Sequence, residues 1–104
     1  MKKIVLALLL ACAATAHANT LMGPGATSCG QWTSEVYSST EKAMMISWVL
    51  GYLSGFNANL NKDFLADKDS ASFTQWMNNY CQANPLDQIA TGANKLFIEI
   101  LRRK

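Results

Sequence analysis

The chain has 104 residues, of which half are hydrophobic and 15% are charged, and its formal net charge is +2 at pH 7. This length suits a single domain and is too short for several. One histidine and three cysteines restrict the catalytic and metal-binding chemistry that the side chains can supply.

The first 18 residues have the layout of a secretory signal peptide. Met1-Lys2-Lys3 is a short basic start, residues 4–16 are apolar, and Ala16-His17-Ala18 places small residues where signal peptidase cuts. An apolar run of about 13 residues cannot span a bilayer, which needs roughly 20. We therefore expect cleavage after residue 18, export to the periplasm, a mature chain that begins at Asn19, and no integral membrane span.

Removal of this segment changes the charge and the chemistry that remain. The two lysines of the basic start leave, so seven basic and seven acidic residues remain and the net charge is zero. That balance predicts no nucleic-acid partner. His17 and Cys12 leave as well, and Cys29 and Cys81 are then expected to form a disulfide rather than stay as two free thiols. In the alternative, Leu9-Leu10-Ala11-Cys12 is a lipoprotein box and Cys12 is lipidated.

The start of the mature chain predicts little regular structure. Residues 19–28 contain Gly23, Pro24 and Gly25 and predict a flexible, exposed arm. A short helix is then expected from about Ser28 to Tyr37.

A long helix is predicted to follow. Ser38-Ser39-Thr40-Glu41 matches a capping box with Ser38 as N-cap, and the helix should end between Asn57 and Asn61. The apolar residues recur at helical spacing and predict a core face; they are Met45, Trp48, Val49, Tyr52, Leu53 and Phe56.

Two more helices complete the predicted domain. Ser72-Phe73-Thr74-Gln75 matches a second capping box, and Asn84-Pro85 should end the helix that begins there. The same pair is expected to open the last helix, with Asn84 as N-cap and Asp87 at the third position. Its apolar residues are Ile89, Ala93, Leu96, Phe97, Ile100 and Leu101. The sequence thus predicts one all-α domain over residues 19–104, with three main helices and a short N-terminal one.

Small residues recur every four positions in the long helix. Ser47, Gly51 and Gly55 should share one helix face, with Tyr52 beside them. Two glycines inside a helix cost roughly 1 kcal/mol each, so a close crossing with another helix of the domain is expected to offset them. The alternatives are a homodimer contact and a groove for a protein partner.

Three tryptophans are many for a domain of this size. Trp48 and Trp76 fall on predicted apolar faces and are expected in the core, and Trp32 is expected to cover the disulfide. An aromatic residue that stays exposed is a candidate anchor for a binding partner.

Neither a metal site nor a catalytic site is predicted. Polar residues alternate as in a calcium loop at Asn57, Asn59, Asn61 and Asp63, but the glycine and the glutamate that such a loop needs are missing. Without histidine, no Ser-His or Cys-His pair can form. A carboxylate pair such as Asp63 and Asp67 is typical of a polar loop. We expect a non-enzyme that needs no cofactor.

One part of the sequence resembles a known family. Tyr80-Cys81-Gln82-Ala83-Asn84-Pro85, together with Cys29 followed by Trp32, resembles the HdeA/HdeB family of periplasmic acid-stress chaperones. The resemblance implies a small helical domain stapled by two cysteines. It also implies a mechanism in which acid protonates the carboxylates, the remaining positive charges repel one another, and exposed apolar surface holds unfolded clients.

A second resemblance implies a different role. Gly51-Tyr52-Leu53-Ser54-Gly55, followed later by a cysteine and Asn-Pro, is similar to the Tai-type immunity proteins, which block injected peptidoglycan amidases. That family often has a cysteine where this chain has Leu50. The leading hypothesis is a chaperone in stress response, the alternative is an immunity protein, and a third is a structural subunit of an envelope complex.

Overall fold

The computed structural model of the chain describes residues 20–103. The signal peptide, its cleavage site and Cys12 lie outside these residues and stay predictions. A 3₁₀ turn precedes four α-helices: the turn is Pro24–Ala26, α1 is Cys29–Thr33, α2 is Ser39–Ala58, α3 is Ser70–Ala83 and α4 is Ile89–Arg102. The described residues contain no strand beyond one isolated bridge, so the predicted all-α domain of three main helices and one short helix is confirmed.

The capping box at the start of α2 is confirmed. The Ser38 hydroxyl accepts a hydrogen bond from the Glu41 amide at 3.2 Å, and the Glu41 carboxylate accepts one from the Ser38 amide at 2.8 Å. The helix ends at Ala58, with Asn59 as C-cap, inside the predicted interval. Local sequence is therefore sufficient to define both ends of the longest helix.

The predicted start of α3 is wrong. The N-cap is Asp69, whose carboxylate accepts a hydrogen bond from the Ser72 amide at 2.7 Å, and the helix begins at Ser70. An aspartate N-cap satisfies a free amide and also places negative charge at the positive end of the helix dipole. Ser72 thus donates its amide to a cap and does not form a capping box itself.

The predicted start of α4 is also wrong. The helix begins at Ile89, with Gln88 as N-cap. The Asn84 side chain donates a hydrogen bond to the Tyr80 carbonyl at 3.0 Å, and the Asp87 carboxylate accepts one from the Tyr80 hydroxyl at 2.5 Å. Both side chains therefore bind the end of α3 and do not cap α4.

Backbone hydrogen bonds explain why the linker before α4 is not helical. The Cys29 amide donates to the Asp87 carbonyl at 2.7 Å, and the Gly30 amide donates to the Pro85 carbonyl at 2.9 Å. These bonds satisfy free amides at the start of α1. The same helix ends at Thr33 and not near Tyr37 as predicted. Tertiary hydrogen bonds thus outweigh the local preference of Asn84-Pro85 for a helix start.

The Cys29–Cys81 disulfide is present as predicted and joins α1 to α3. Both cysteines are fully buried in the core. The other large core residues come from the inner faces of the three long helices: Met45, Val49, Leu53, Phe73, Met77, Ile89, Leu96, Phe97 and Ile100. No helix of the described part of the chain is long and apolar enough to cross a membrane.

A close helix crossing lies at a glycine outside the small-residue stripe of α2. A Cβ atom at Gly92 of α4 would lie 2.9 Å from Met77 Cε and from Tyr80 Cδ1 of α3. Gly92 is therefore the residue that lets these two helices approach.

The segment before Cys29 was expected to be an exposed arm, and Met22, Gly23 and Ala26 are exposed, but the segment is also attached to the domain. Gly25 is buried. The Trp48 indole donates a hydrogen bond to the Met22 carbonyl at 2.8 Å. The Thr27 carbonyl accepts the Ile89 amide at 2.9 Å. Packing against Trp48 and pairing with the start of α4 together hold this segment on the domain.

Candidate functional site

The stripe of small residues on α2 faces solvent. Ser47, Gly51 and Gly55 are exposed, and a Cβ atom built at either glycine meets nothing within 4 Å. The predicted close crossing inside the domain is therefore wrong. The physical reason is that α2 packs on the core through a different face, that of Val49 and Leu53.

The exposed side of α2 is unusual because it has no charge beyond the first turn of the helix. Residues 43–61 contain no Asp, Glu, Lys or Arg. A helix at a protein surface ordinarily presents charged residues to water. Here Met44 is 59% exposed and Phe56 is 42% exposed. We call this surface the outer α2 face; it consists of Met44, Ser47, Gly51, Tyr52, Gly55 and Phe56.

A row of aromatic rings borders the glycines. Trp48 stacks on Tyr52 with ring centroids 4.7 Å apart, and Tyr52 meets the edge of Phe56 at 4.8 Å. Phe56 stacks in turn on Phe97 of α4 at 5.5 Å. The Tyr52 hydroxyl donates to the Asn94 side chain at 3.0 Å, which fixes the ring on α4. The row is thus held in place from outside α2.

The glycines and the aromatic rings line an open groove. Gly51, Gly55, Tyr52, Phe56 and Asn59 line it, and its volume is about 410 Å³. Its floor is helix backbone, because the glycines have no side chains. A groove of this kind suits an apolar side chain or an extended segment of a partner.

The three tryptophans differ in exposure, and none is highly exposed. Trp32 is buried, and its indole donates to the Asn78 side chain at 2.7 Å. It lies in the same buried cluster as the two cysteines. Trp48 and Trp76 are half-buried against the core. The exposed aromatic residue is Phe56, which the helical spacing had placed on the core face.

The alternating asparagines close the turn after α2. Asn57 donates to the Asp63 carboxylate at 2.8 Å and accepts the Phe64 amide at 2.9 Å. Asn59 donates to the Gly55 carbonyl at 2.8 Å. Between Thr20 and Arg103, no group of His, Cys, Asp and Glu is placed to hold a metal ion. The alternation is thus accounted for by helix termination.

Most carboxylates of the domain accept hydrogen bonds. Six of the seven acidic side chains do so: Glu41, Asp63, Asp67, Asp69, Asp87 and Glu99. These bonds are stronger when the carboxylate is charged. Acid therefore weakens the helix caps, and it also weakens contacts between elements. The disulfide is unaffected.

Among residues 20–103, three groups have shifted pKa values. The hydrogen bond and the charge of Lys68 lower the pKa of Asp67. Hydrogen bonds from Ser72 lower the pKa of Asp69. Burial raises the pKa of the Tyr80 hydroxyl, and its hydrogen bond to Asp87 raises it further. The two lowered values mean that the folded domain favours the charged form of both aspartates.

No known protein family, curated protein or solved structure matches this chain.

Two glycine substitutions should have opposite effects on stability. Gly51→Ala should raise the free energy of unfolding by about 1 kcal/mol, because alanine favours the helix and its Cβ meets no neighbour. Gly92→Ala should lower it by about 1–2 kcal/mol, because its Cβ would crowd Met77 and Tyr80. Urea unfolding with the disulfide intact measures both. A loss of stability in Gly51→Ala would contradict an uncovered outer α2 face.

Proposed function

We propose that the chain is a periplasmic, non-enzymatic protein of the acid-stress chaperone type, which holds unfolded protein clients on its outer α2 face. The observation that supports this most directly is the surface itself. It combines two open glycines, exposed Met44 and Phe56, and a stretch without charge over residues 43–61. The resemblance to the HdeA/HdeB family adds the acid dependence.

The outer α2 face has the chemistry that an unfolded client needs. Unfolded chains offer apolar side chains of varied shape, and covering apolar surface contributes about 25 cal/mol per Å². Met44 adapts to varied partners because methionine is flexible and polarisable. Gly51 and Gly55 let a client segment approach the helix backbone. None of these contacts requires a particular client sequence.

Acid supplies the trigger in this proposal. A carboxylate takes part in the N-terminal cap of both long helices that precede α4, Glu41 in α2 and Asp69 in α3. Protonation weakens these caps, and the lysines and arginines keep their positive charge. The helices then loosen and repel one another, while the Cys29–Cys81 disulfide still holds α1 to α3. The result is an expanded chain with more apolar surface.

An immunity protein is the second candidate function. The groove along Gly51, Tyr52 and Gly55 is open in the folded domain, before any acid treatment. A protein that blocks one folded partner at neutral pH needs a preformed surface of this kind. These three residues belong to the segment that resembles the Tai-type family.

Client holding should be measured with an acid-labile protein at pH 2–4. We expect the mature chain in stoichiometric excess to suppress client aggregation, and Ser47→Lys to reduce suppression several-fold, because it places a charge on the outer α2 face at every pH. Gln75→Lys adds the same charge on an exposed position of α3 and should leave suppression unchanged. No suppression by the unmodified chain would refute the chaperone function. A tight one-to-one partner at pH 7 that Ser47→Lys abolishes would instead support immunity.

Stability should fall with acid in a way that depends on Asp69. Because the folded-state pKa of Asp69 is lowered, its contribution is complete above the unfolded value of about 3.9 and is lost as pH falls through the lowered value. Asp69→Asn keeps a capping side chain that does not titrate. We expect its urea midpoint to fall less steeply between about pH 5 and pH 2 than that of the unmodified chain. Glu35→Gln is the matched control, because no described residue donates a hydrogen bond to Glu35; equal slopes for both variants would contradict the prediction.

A further inference from the structure

A short segment before α1 lies across α2 and covers Trp48. We call residues 22–27 the strap. The Trp48 indole donates to the Met22 carbonyl at 2.8 Å, and Gly25 is buried against the indole ring. A Cβ atom at Gly25 would lie closer than 3.0 Å to three carbon atoms of that ring. The strap thus fits over Trp48 only because residue 25 has no side chain.

The strap is attached to the rest of the domain by a few bonds at its other end. The Thr27 carbonyl accepts a hydrogen bond from the Ile89 amide at 2.9 Å, and the Ala26 carbonyl accepts one from the Gln88 side chain at 3.4 Å. Its one large side chain, Met22, is 79% exposed. A segment that buries so little apolar side chain of its own can open at low cost while the core stays folded.

The surface beneath the strap continues the outer α2 face. Trp48 is the first ring of the aromatic row that includes Tyr52 and Phe56. Beside the strap, Met44 and Met45 line a largely apolar groove of about 280 Å³. Pro24 of the strap and Glu41 also line this groove. Lifting the strap would open the groove and connect the face of Trp48 with the glycine groove, in one surface along α2 whose charged residue is Glu41 at the helix start.

We infer that the strap is an autoinhibitory cover, and that an unfolded client displaces it to bind Trp48 together with the outer α2 face. This inference rests on the proposed chaperone function. The displacing segment is expected to have the chemistry of the strap itself, which is uncharged and rich in glycine, with apolar side chains added. The strap covers part of the largest ring of the row, and client binding replaces one uncharged segment by another.

Gly25→Ala tests whether the strap can be displaced from Trp48. Its Cβ forces either the strap or the ring to move, and either movement breaks the bond between the Trp48 indole and Met22. Hydrogen exchange of indole N–H groups, read from ¹H–¹⁵N spectra, should then be about tenfold faster at Trp48, the factor expected for one ordinary hydrogen bond. The Trp32 indole, bonded to Asn78, is an internal control and should not change.

Two further variants separate opening from unfolding. Gly30→Ala places a Cβ at an ordinary 3.5 Å from its neighbours and should leave both indoles unchanged. Gln88→Ala removes the bond to the Ala26 carbonyl without altering the core, and it should accelerate exchange at Trp48 by a smaller factor. Unchanged exchange at Trp48 in both Gly25→Ala and Gln88→Ala would overturn the inference.

Client holding by the opened chain completes the test. At pH 7, Gly25→Ala should suppress aggregation of a heat-unfolded client at a several-fold lower concentration than the unmodified chain. If Trp48 exchanges faster but suppression does not improve, the strap is not inhibitory, and the proposed function stands as long as the unmodified chain still holds clients at pH 2–4. If neither chain holds clients at any pH, the proposed function fails and the inference fails with it.

Discussion

The Cys29–Cys81 disulfide is the constraint on which the rest of this small domain depends. Helix α1 has five residues, too few to form alone, and the disulfide fixes it to α3. The bond spans a sequence separation of 52 residues, for which chain entropy predicts a contribution of about 4 kcal/mol. That is a large share of a typical stability of about 5–10 kcal/mol. Backbone bonds from Cys29 and Gly30 then fix the linker before α4, and the strap enters the domain next to the same cysteine.

This arrangement leaves one side of α2 without a partner. Helix α4 and the 3₁₀ turn pack against α2, whose Val49 and Leu53 are buried. Nothing in the described part of the chain covers the face of Gly51 and Gly55. A contiguous apolar surface left in water is typical of a binding site. Its presence in a domain whose helix caps depend on carboxylates connects the two halves of the proposed function, a surface that binds and a fold that acid loosens.

The sequence was sufficient where local interactions decide the structure. The capping box at Ser38 and Glu41 and the apolar stripe of α4 appear as predicted, because each depends on residues three or four positions apart. The disulfide followed from two cysteines in a chain expected to be exported. The start of α4 was not predictable in this way, because the Asp87 carbonyl accepts the amide of Cys29, which is distant in sequence.

The candidate site shows the same limit. Spacing correctly placed Ser47, Gly51 and Gly55 on one face, but it contains no information on which face of α2 the core would cover. Gly92, the glycine that a close crossing does require, stands alone in the sequence and gave no pattern. The burial of Gly25 beneath Trp48 likewise depends on contacts between distant segments. Residue types and periodicity could identify the surface, and only the packing of the helices could show that it is exposed.

Site-specific crosslinking tests most directly whether the outer α2 face is the binding surface. A photoreactive residue at Ser47 would be compared with one at Gln75, an equally exposed position on α3. Each protein would be irradiated with an unfolding client at pH 3. If clients bind the outer α2 face, crosslinks should form at Ser47 at several times the yield found at Gln75. Equal yields at the two positions would contradict a binding surface on α2.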